Sequence, residues 1–192
     1  MKKKLLIVPI FLMAAVIIIL ILNIFGAGRS TYGVNDKVSI IAGVTSDGSY
    51  QYVEVQVNSV SVMEDKIEGL NTAPFGDIPE KFGVSEDGTI SSDYSFVAVN
   101  LTISSDVDIE VCVSGFQLEA GNSTAECYYN SAPVSSGKSS GYTYVSAGVD
   151  KEVTIGFFVD SDMLKASSFA LRPVALSTEE KSVKITIDNP TR

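Results

Sequence analysis

From Tyr94 to Ser104 the chain reads Tyr-Ser-Phe-Val-Ala-Val-Asn-Leu-Thr-Ile-Ser, with Val97, Val99, Leu101 and Ile103 on one face and Phe96, Ala98, Asn100 and Thr102 on the other. Side chains of an extended chain alternate between faces with a period of two, so this is the pattern of a half-buried strand. Asn100 puts an amide in mid-strand. The face it shares is therefore expected to be the shallower one, and Val97, Val99, Leu101 and Ile103 to line the interior. Glu86-Asp87-Gly88 and Ser91-Ser92-Asp93 lead in, and Ser104-Ser105-Asp106 leads out, which bounds the strand with turn formers.

The same periodicity recurs along the chain. Val38–Val44 reads as an irregular strand, and Thr45-Ser46-Asp47-Gly48-Ser49 as a turn. In Tyr50–Met63, Tyr52, Glu54, Gln56 and Asn58 oppose Val53, Val55 and Val57. The valines then shift to Val60 and Val62, which predicts a β-bulge near Asn58. Further strands are expected at Ile109–Val113, Phe116–Ala120, Ala125–Tyr129, Val153–Val159, Phe169–Leu176 and Val183–Ile187. Arg172-Pro173 points to an edge position for its strand. Asp160–Ala166 fits one helical turn capped by Ser161 or Asp162, and no stretch after the N-terminus reads as a helix of ten residues. Eight to nine short strands separated by turns define an all-β chain, expected to be an immunoglobulin-like antiparallel β-sandwich. Tyr94–Ser104 should lie at its sheet centre, between Val53–Val57 and Val153–Val159.

The N-terminus differs. Lys2, Lys3 and Lys4 precede Leu5–Phe25, which is apolar except for Asn23. At about 1.5 Å per residue, a helix of about 21 residues spans the roughly 30 Å hydrocarbon core. The lysines would stay in the cytoplasm and Gly26 onward would lie outside. The expected organisation is a signal anchor or transmembrane segment over residues 1–28, a short connector over 29–36 and the β-sandwich over 37–192. Gly26-Ala27-Gly28 leaves a cleaved signal, and hence a secreted domain, as the alternative. No Cys follows the apolar run to take a lipid.

Charge and residue types narrow the function. Three of the 14 basic residues are Lys2, Lys3 and Lys4, and the first acidic residue is Asp36, so the chain from Arg29 onward holds 11 basic against 23 acidic residues, a net of −12. Such a domain is repelled by phosphate backbones, which argues against nucleic acid. The chain has no His, which removes Ser-His-Asp and Cys-His catalysis and imidazole metal sites. Asp106/Asp108 and Asp160/Asp162 are carboxylate pairs at strand ends, but solvated turn carboxylates explain them without a metal. No enzyme activity, cofactor or metal is expected.

Three features remain as candidate sites. Cys112 and Cys127, the only cysteines, read first as a disulfide in an exported chain, with two thiols as the alternative. The Ser/Gly-rich stretch Asn130–Gly148 ends near Tyr142 and Tyr144, which with Tyr128 and Tyr129 could meet a protein or a glycan, or could simply cover a sheet. Glu64–Ser92 is a long irregular segment of the kind that is often functional, and Phe75, Ile78 and Phe82 should pin it to the sandwich. Tyr142, Tyr144, Phe75 and Phe82 are the candidate binding residues.

Asp87-Gly88-Thr89-Ile90, then Tyr94–Ile103, then Asp108-Ile109-Glu110-Val111, together with Val149-Asp150-Lys151-Glu152-Val153-Thr154-Ile155-Gly156-Phe157-Phe158-Val159, form a pattern. It resembles the small extracytoplasmic Ig-like (immunoprotective extracellular antigen-like) domain-of-unknown-function proteins of Gram-positive bacteria. The resemblance runs over about residues 34 to 188 and includes no catalytic motif. It implies an exported β-sandwich held by a lipid or a signal anchor. The expected function is a non-catalytic, membrane-anchored binding or interaction module of the cell surface, with a protein or cell-wall glycan as partner. The alternatives are an accessory subunit of a membrane or cell-wall complex, and a secreted soluble sandwich.

Overall fold

A computed structural model describes residues 31–68, 80–131, 141–173 and 183–192. Its strands are β1 (Thr31–Tyr32), β2 (Lys37–Val44), β3 (Tyr50–Met63), β4 (Tyr94–Ser104), β5 (Ile109–Cys112), β6 (Phe116–Ala120), β7 (Ser123–Asn130), β8 (Tyr142–Val145), β9 (Lys151–Asp160), β10 (Ser168–Pro173) and β11 (Lys184–Asp188). β4 has the expected bounds and the expected neighbours, pairing antiparallel with β3 on one side and β9 on the other. Val97, Val99, Leu101 and Ile103 are all fully buried. Each such side chain contributes about 1.5–3 kcal/mol by leaving water.

The β3–β4 register shifts between Val57 and Ser59, where the bulge is expected. The Asn58 Nδ2 there donates to Asn100 Oδ1 (2.7 Å) and to Thr102 Oγ1 (2.9 Å). Asn100 Nδ2 in turn donates to Thr154 Oγ1 at 3.3 Å. The mid-strand asparagine is thus satisfied across three strands on the outer face, so its amide carries no desolvation penalty.

Neighbouring strands run in the order β1-β11-β10-β6-β7-β9-β4-β3-β2, antiparallel except for the parallel pair β1–β11. This sheet folds back on itself at β7. Gln117–Ala120 of β6 pair with Ser123–Glu126, whereas Cys127 and Tyr129–Asn130 pair with β9 after a register shift. Successive short strands β1 and β2 likewise attach to opposite layers, on β11 and β3. Asn35 makes the bend between them at φ 66°, a left-handed conformation that asparagine tolerates, and its N–H donates to Val57 O at 2.9 Å. Phe116, Leu118, Phe169, Leu171, Ile185 and Ile187 of one layer form a single buried cluster with the β2, β3, β4 and β9 rows of the other. The result is a sandwich-like, nearly all-β fold.

Several expectations change. Within the 29–36 stretch, β1 pairs with Lys184–Ile185. β10 is flanked by β11 and β6 and is no edge strand. Pro173 is its last residue and lies beyond the β11 register, which ends at Leu171, so its missing N–H breaks no ladder on that side. The helical turn is Ser161–Leu164 and its cap is Asp160, whose carboxylate accepts from the N–H groups of Asp162 (3.0 Å) and Met163 (2.9 Å). Among the described residues no helix is long and apolar enough to cross a membrane, and the apolar run 5–25 lies outside them.

The outer face of β4 also departs from expectation. Phe96 and Ala98 are buried there, together with Phe158, Ile67, Ile90 and Phe82, in a second apolar cluster. The segment after β3 folds over this end of the sheet through the bridges Lys66–Thr89 and Val84–Ile90. The 3-10 turn Glu80–Phe82 then drops Phe82 onto Phe158, with ring centroids 4.4 Å apart and planes 14° apart.

Two turns repeat one device, Thr45-Ser46-Asp47-Gly48-Ser49 and Ser85-Glu86-Asp87-Gly88-Thr89. In each the Asp carboxylate accepts from the first hydroxyl and from the N–H two residues on, and the Gly takes a positive φ (87° and 83°). The Ser85 hydroxyl, then the Thr89 N–H and hydroxyl, lower the Asp87 carboxyl from 3.8 to about 2. Depression of a folded carboxyl means that its stabilising contribution is present above about pH 4 and is lost as pH falls towards 2. The Asp87 carboxyl carbon should titrate by NMR near pH 2, with faster exchange of the Thr89 amide over the same range. A midpoint at 3.8 would remove the carboxylate from the turn.

Candidate functional site

β5 and β8 form a separate two-stranded sheet with the pairs Ile109–Val145, Glu110–Tyr144, Val111–Thr143 and Cys112–Tyr142. Alternation decides its two faces. Ile109, Val111, Thr143 and Val145 are buried, and Glu110, Cys112, Tyr142 and Tyr144 point outward. Backbone hydrogen bonds fasten the sheet at both ends. At one, Gly148 N–H donates to Ser105 O (2.8 Å) and Ala147 N–H to Asp108 Oδ1 (2.9 Å). At the other, Val113 N–H donates to Gly141 O at 2.8 Å. The outward side chains therefore stand on a fixed platform.

Tyr142 is 44% exposed and Tyr144 49%. The Cys112 sulfur, through its charge and a hydrogen bond, raises the Tyr142 phenol above its ordinary value. Partial desolvation, then the Asp108 charge and hydrogen bond, raise that of Tyr144. Both phenols remain protonated at neutral pH and offer an O–H beside a flat apolar ring. With Glu110 and Asp108 close by, the face suits hydrogen-bonding or cationic partners.

The other expected site residues fall elsewhere. Phe82 is only 3% exposed, packed edge-to-face against Tyr94 (4.9 Å) and Tyr128 (5.1 Å) and stacked on Phe158, so it is a packing residue. Tyr128 belongs to the same aromatic group. Phe75 and Ile78 lie outside the described residues. The expected Cys112–Cys127 bridge is not formed in this structure. Cys112 points outward near Ser114 Oγ (3.5 Å) and Tyr142, whereas Cys127 packs against the main core. Asp108 and Asp160 accept backbone hydrogen bonds, and Asp162 pairs with Lys165 at 2.6 Å. Among the described residues no group of three or more His, Cys, Asp or Glu is arranged to hold a metal.

One exposed aromatic pair was not singled out by sequence. Tyr50 and Tyr52 are 46% and 54% exposed, with rings edge-on at 6.5 Å. Tyr52 borders a hollow of about 450 Å³ shared with Lys37, Glu54, Ser104, Asp106 and Asp150. The available signal was the placing of Tyr52 with Glu54 opposite the Val53–Val57 row. A second hollow, of about 430 Å³, lies over Phe82, Tyr94, Tyr128 and Phe158, with Lys81 Nζ 4.7 Å above the Phe82 ring.

No family model matches the chain, and no curated protein matches it. Among solved structures it is similar to an uncharacterised β-sandwich protein of Clostridium difficile 630, at 8% identity and a TM-score of 0.45, over 84% of this chain and 94% of that one. It is also similar to MPT63, a secreted protein of Mycobacterium tuberculosis, at 11% identity and a TM-score of 0.42, over 84% and 98%. A functionally unknown protein of Listeria monocytogenes EGD-e follows at 13% and 0.39, over 71% and 74%. At these identities and scores the likeness carries nothing about ligand or partner.

Proposed function

We propose that the chain is a non-catalytic binding module, held at the outer side of a membrane by residues 5–25, that meets a protein or cell-wall glycan partner through the outward face of β5 and β8. The observation that carries this reading is the placing of Tyr142 and Tyr144 two residues apart on one exposed face, above a buried row that already supplies the strand's packing. Export is supported by the three lysines before the long apolar run, and the absence of His from the sequence supports a module without imidazole-based catalysis. The resemblance to exported Ig-like domains of Gram-positive bacteria agrees with both.

The apolar run itself favours a second reading, an accessory subunit whose transmembrane segment contacts its complex. Crosslinking in intact cells separates the two. A Tyr142→Ala/Tyr144→Ala variant of the full chain should keep its unfolding free energy within about 0.5 kcal/mol per substitution, as exposed residues do. Loss of the crosslinked product by about two orders of magnitude or more, as expected for two aromatic hot spots worth about 2 kcal/mol each, supports the tyrosine face. An unchanged product that disappears when the apolar run is exchanged for an unrelated anchor supports the accessory subunit. A large drop in stability would make the tyrosines structural.

A further inference from the structure

We propose that the hollow beside Tyr52 is a binding site for an amino sugar, a hexosamine unit bearing a free ammonium group within an extended glycan. The site is distinct from the β5–β8 face, so its failure would leave that reading standing.

The hollow is built on fixed elements. Glu54 is paired in register with Ser39 on one side and Ser104 on the other, so β2, β3 and β4 hold its wall. The connections that carry Asp106 and Asp150 are tied through Ser105, whose carbonyl accepts from Gly148 N–H (2.8 Å) and whose Oγ accepts from Val107 N–H (3.2 Å). Ser105 is itself buried. A site assembled on paired strands and a locked corner loses little entropy when a ligand enters.

Its chemistry selects the ligand. Among the described lining residues the large aromatic surface is the Tyr52 ring, more than half exposed and braced edge-on by Tyr50. A pyranose ring presents a flat C–H face that stacks on such a ring, while its rim of hydroxyls requires acceptors and donors around it. Glu54, Asp106, Asp150 and Ser104 provide them. The volume of about 450 Å³ suits a sugar-sized ligand. A lysine side chain would want an apolar sleeve for its methylenes, and apart from Tyr52 and Val53 the lining is polar.

Charge decides between sugars. Lys37 Nζ already lies 3.3 Å from Glu54 Oε2, which leaves the hollow with Asp106 and Asp150 and, among the described residues, no second lining cation. Two excess negative charges repel uronates, sialylated glycans and phosphate-bearing polymers, and favour an ammonium over its acetylated, neutral counterpart.

Full-length protein in nanodiscs should be titrated at physiological salt with four probes, a glucosamine tetramer, its N-acetylated counterpart, a uronate tetramer and tetralysine. The expected result is saturable binding of the glucosamine tetramer, at least tenfold weaker binding of the N-acetylated probe and of tetralysine, and no binding of the uronate. Tyr52→Ala should weaken the glucosamine tetramer by about tenfold or more. Asp106→Asn/Asp150→Asn should erase its advantage over the N-acetylated probe, and Tyr142→Ala/Tyr144→Ala should change neither. All of these positions are exposed, so the variants should keep their unfolding midpoints. No saturation by the glucosamine tetramer, equal binding of either competing probe, or indifference to Tyr52→Ala would each overturn the assignment.

Discussion

Gly156→Ala is expected to destabilise the domain by about 3 kcal/mol, at the upper end of the usual cost of overpacking a filled site. An added Cβ would come within 2.1 Å of Phe96 Cζ and 2.7 Å of its Cε2, distances that no folded protein sustains without movement. Little around the ring can move. Phe96 is fully buried, its neighbour Phe158 lies 5.2 Å away at 63°, and the β4–β9 ladder fixes both backbones, with Ala98 opposite Gly156 and Phe96 opposite Phe158. The glycine therefore lets an aromatic ring lie across the strand, a use of glycine in mid-strand that close approach explains better than flexibility does. Urea unfolding measures the loss directly. The decisive comparison is the double variant: Phe96→Ala alone should cost about 3–5 kcal/mol, and in its absence Gly156→Ala should cost less than 1. A single-variant loss below about 0.5 kcal/mol would mean that the ring has room that the packing does not indicate.

That contact also marks where sequence reasoning reached its limit. Period-two alternation reports which face a residue is on, and it located β4, its partners β3 and β9, and the bulge at Asn58, because each depends on neighbours along the strand. It carries no information on whether a distant segment covers the opposite face. Phe96 and Asn100 share that face, yet one is buried in the cluster that Phe82 and Phe158 complete and the other belongs to a part-buried ladder of amides and hydroxyls. The same limit applies to Cys112 and Cys127. Spacing alone allows a bridge, and the structure forms none. Pro173 was read as the sign of an edge strand, but a proline at a strand's last residue constrains only its own position, and β10 is interior. For the site, Tyr142 and Tyr144 were legible as tyrosines near the end of the Ser/Gly-rich stretch Asn130–Gly148, but the strand Tyr142–Val145 that carries them was not, because four residues are too short a run for alternation to stand out. Tyr52 drew no notice because a tyrosine on the polar face of a strand is common, and its significance depends on Asp106 and Asp150 arriving from other parts of the chain.

Phe82→Ala should cost about 3 kcal/mol, and it separates scaffold from binding surface within the long segment after β3. The ring touches three others, stacked on Phe158 and edge-on to Tyr94 and Tyr128. Removing it deletes a buried side chain, normally worth about 3–5 kcal/mol, along with aromatic pairings of about 0.5–1.5 kcal/mol each. The loss should lie at the low end, because the segment rests on the outer face of the sheet and can relax onto the vacated space. It should also be local before it is global. Amides bonded across the segment, Ile90 to Asp65 O (2.8 Å) and Ile67 to Gly88 O (2.8 Å), should lose hydrogen-exchange protection, while those of β4 and β9 keep theirs until the whole domain unfolds. Tyr142→Ala/Tyr144→Ala should show the reverse, with protection unchanged and partner capture reduced. If Phe82→Ala instead left stability and exchange intact while abolishing capture, the binding surface would have to move to the hollow above Tyr94 and Tyr128, and the β5–β8 face would become an ordinary solvated edge.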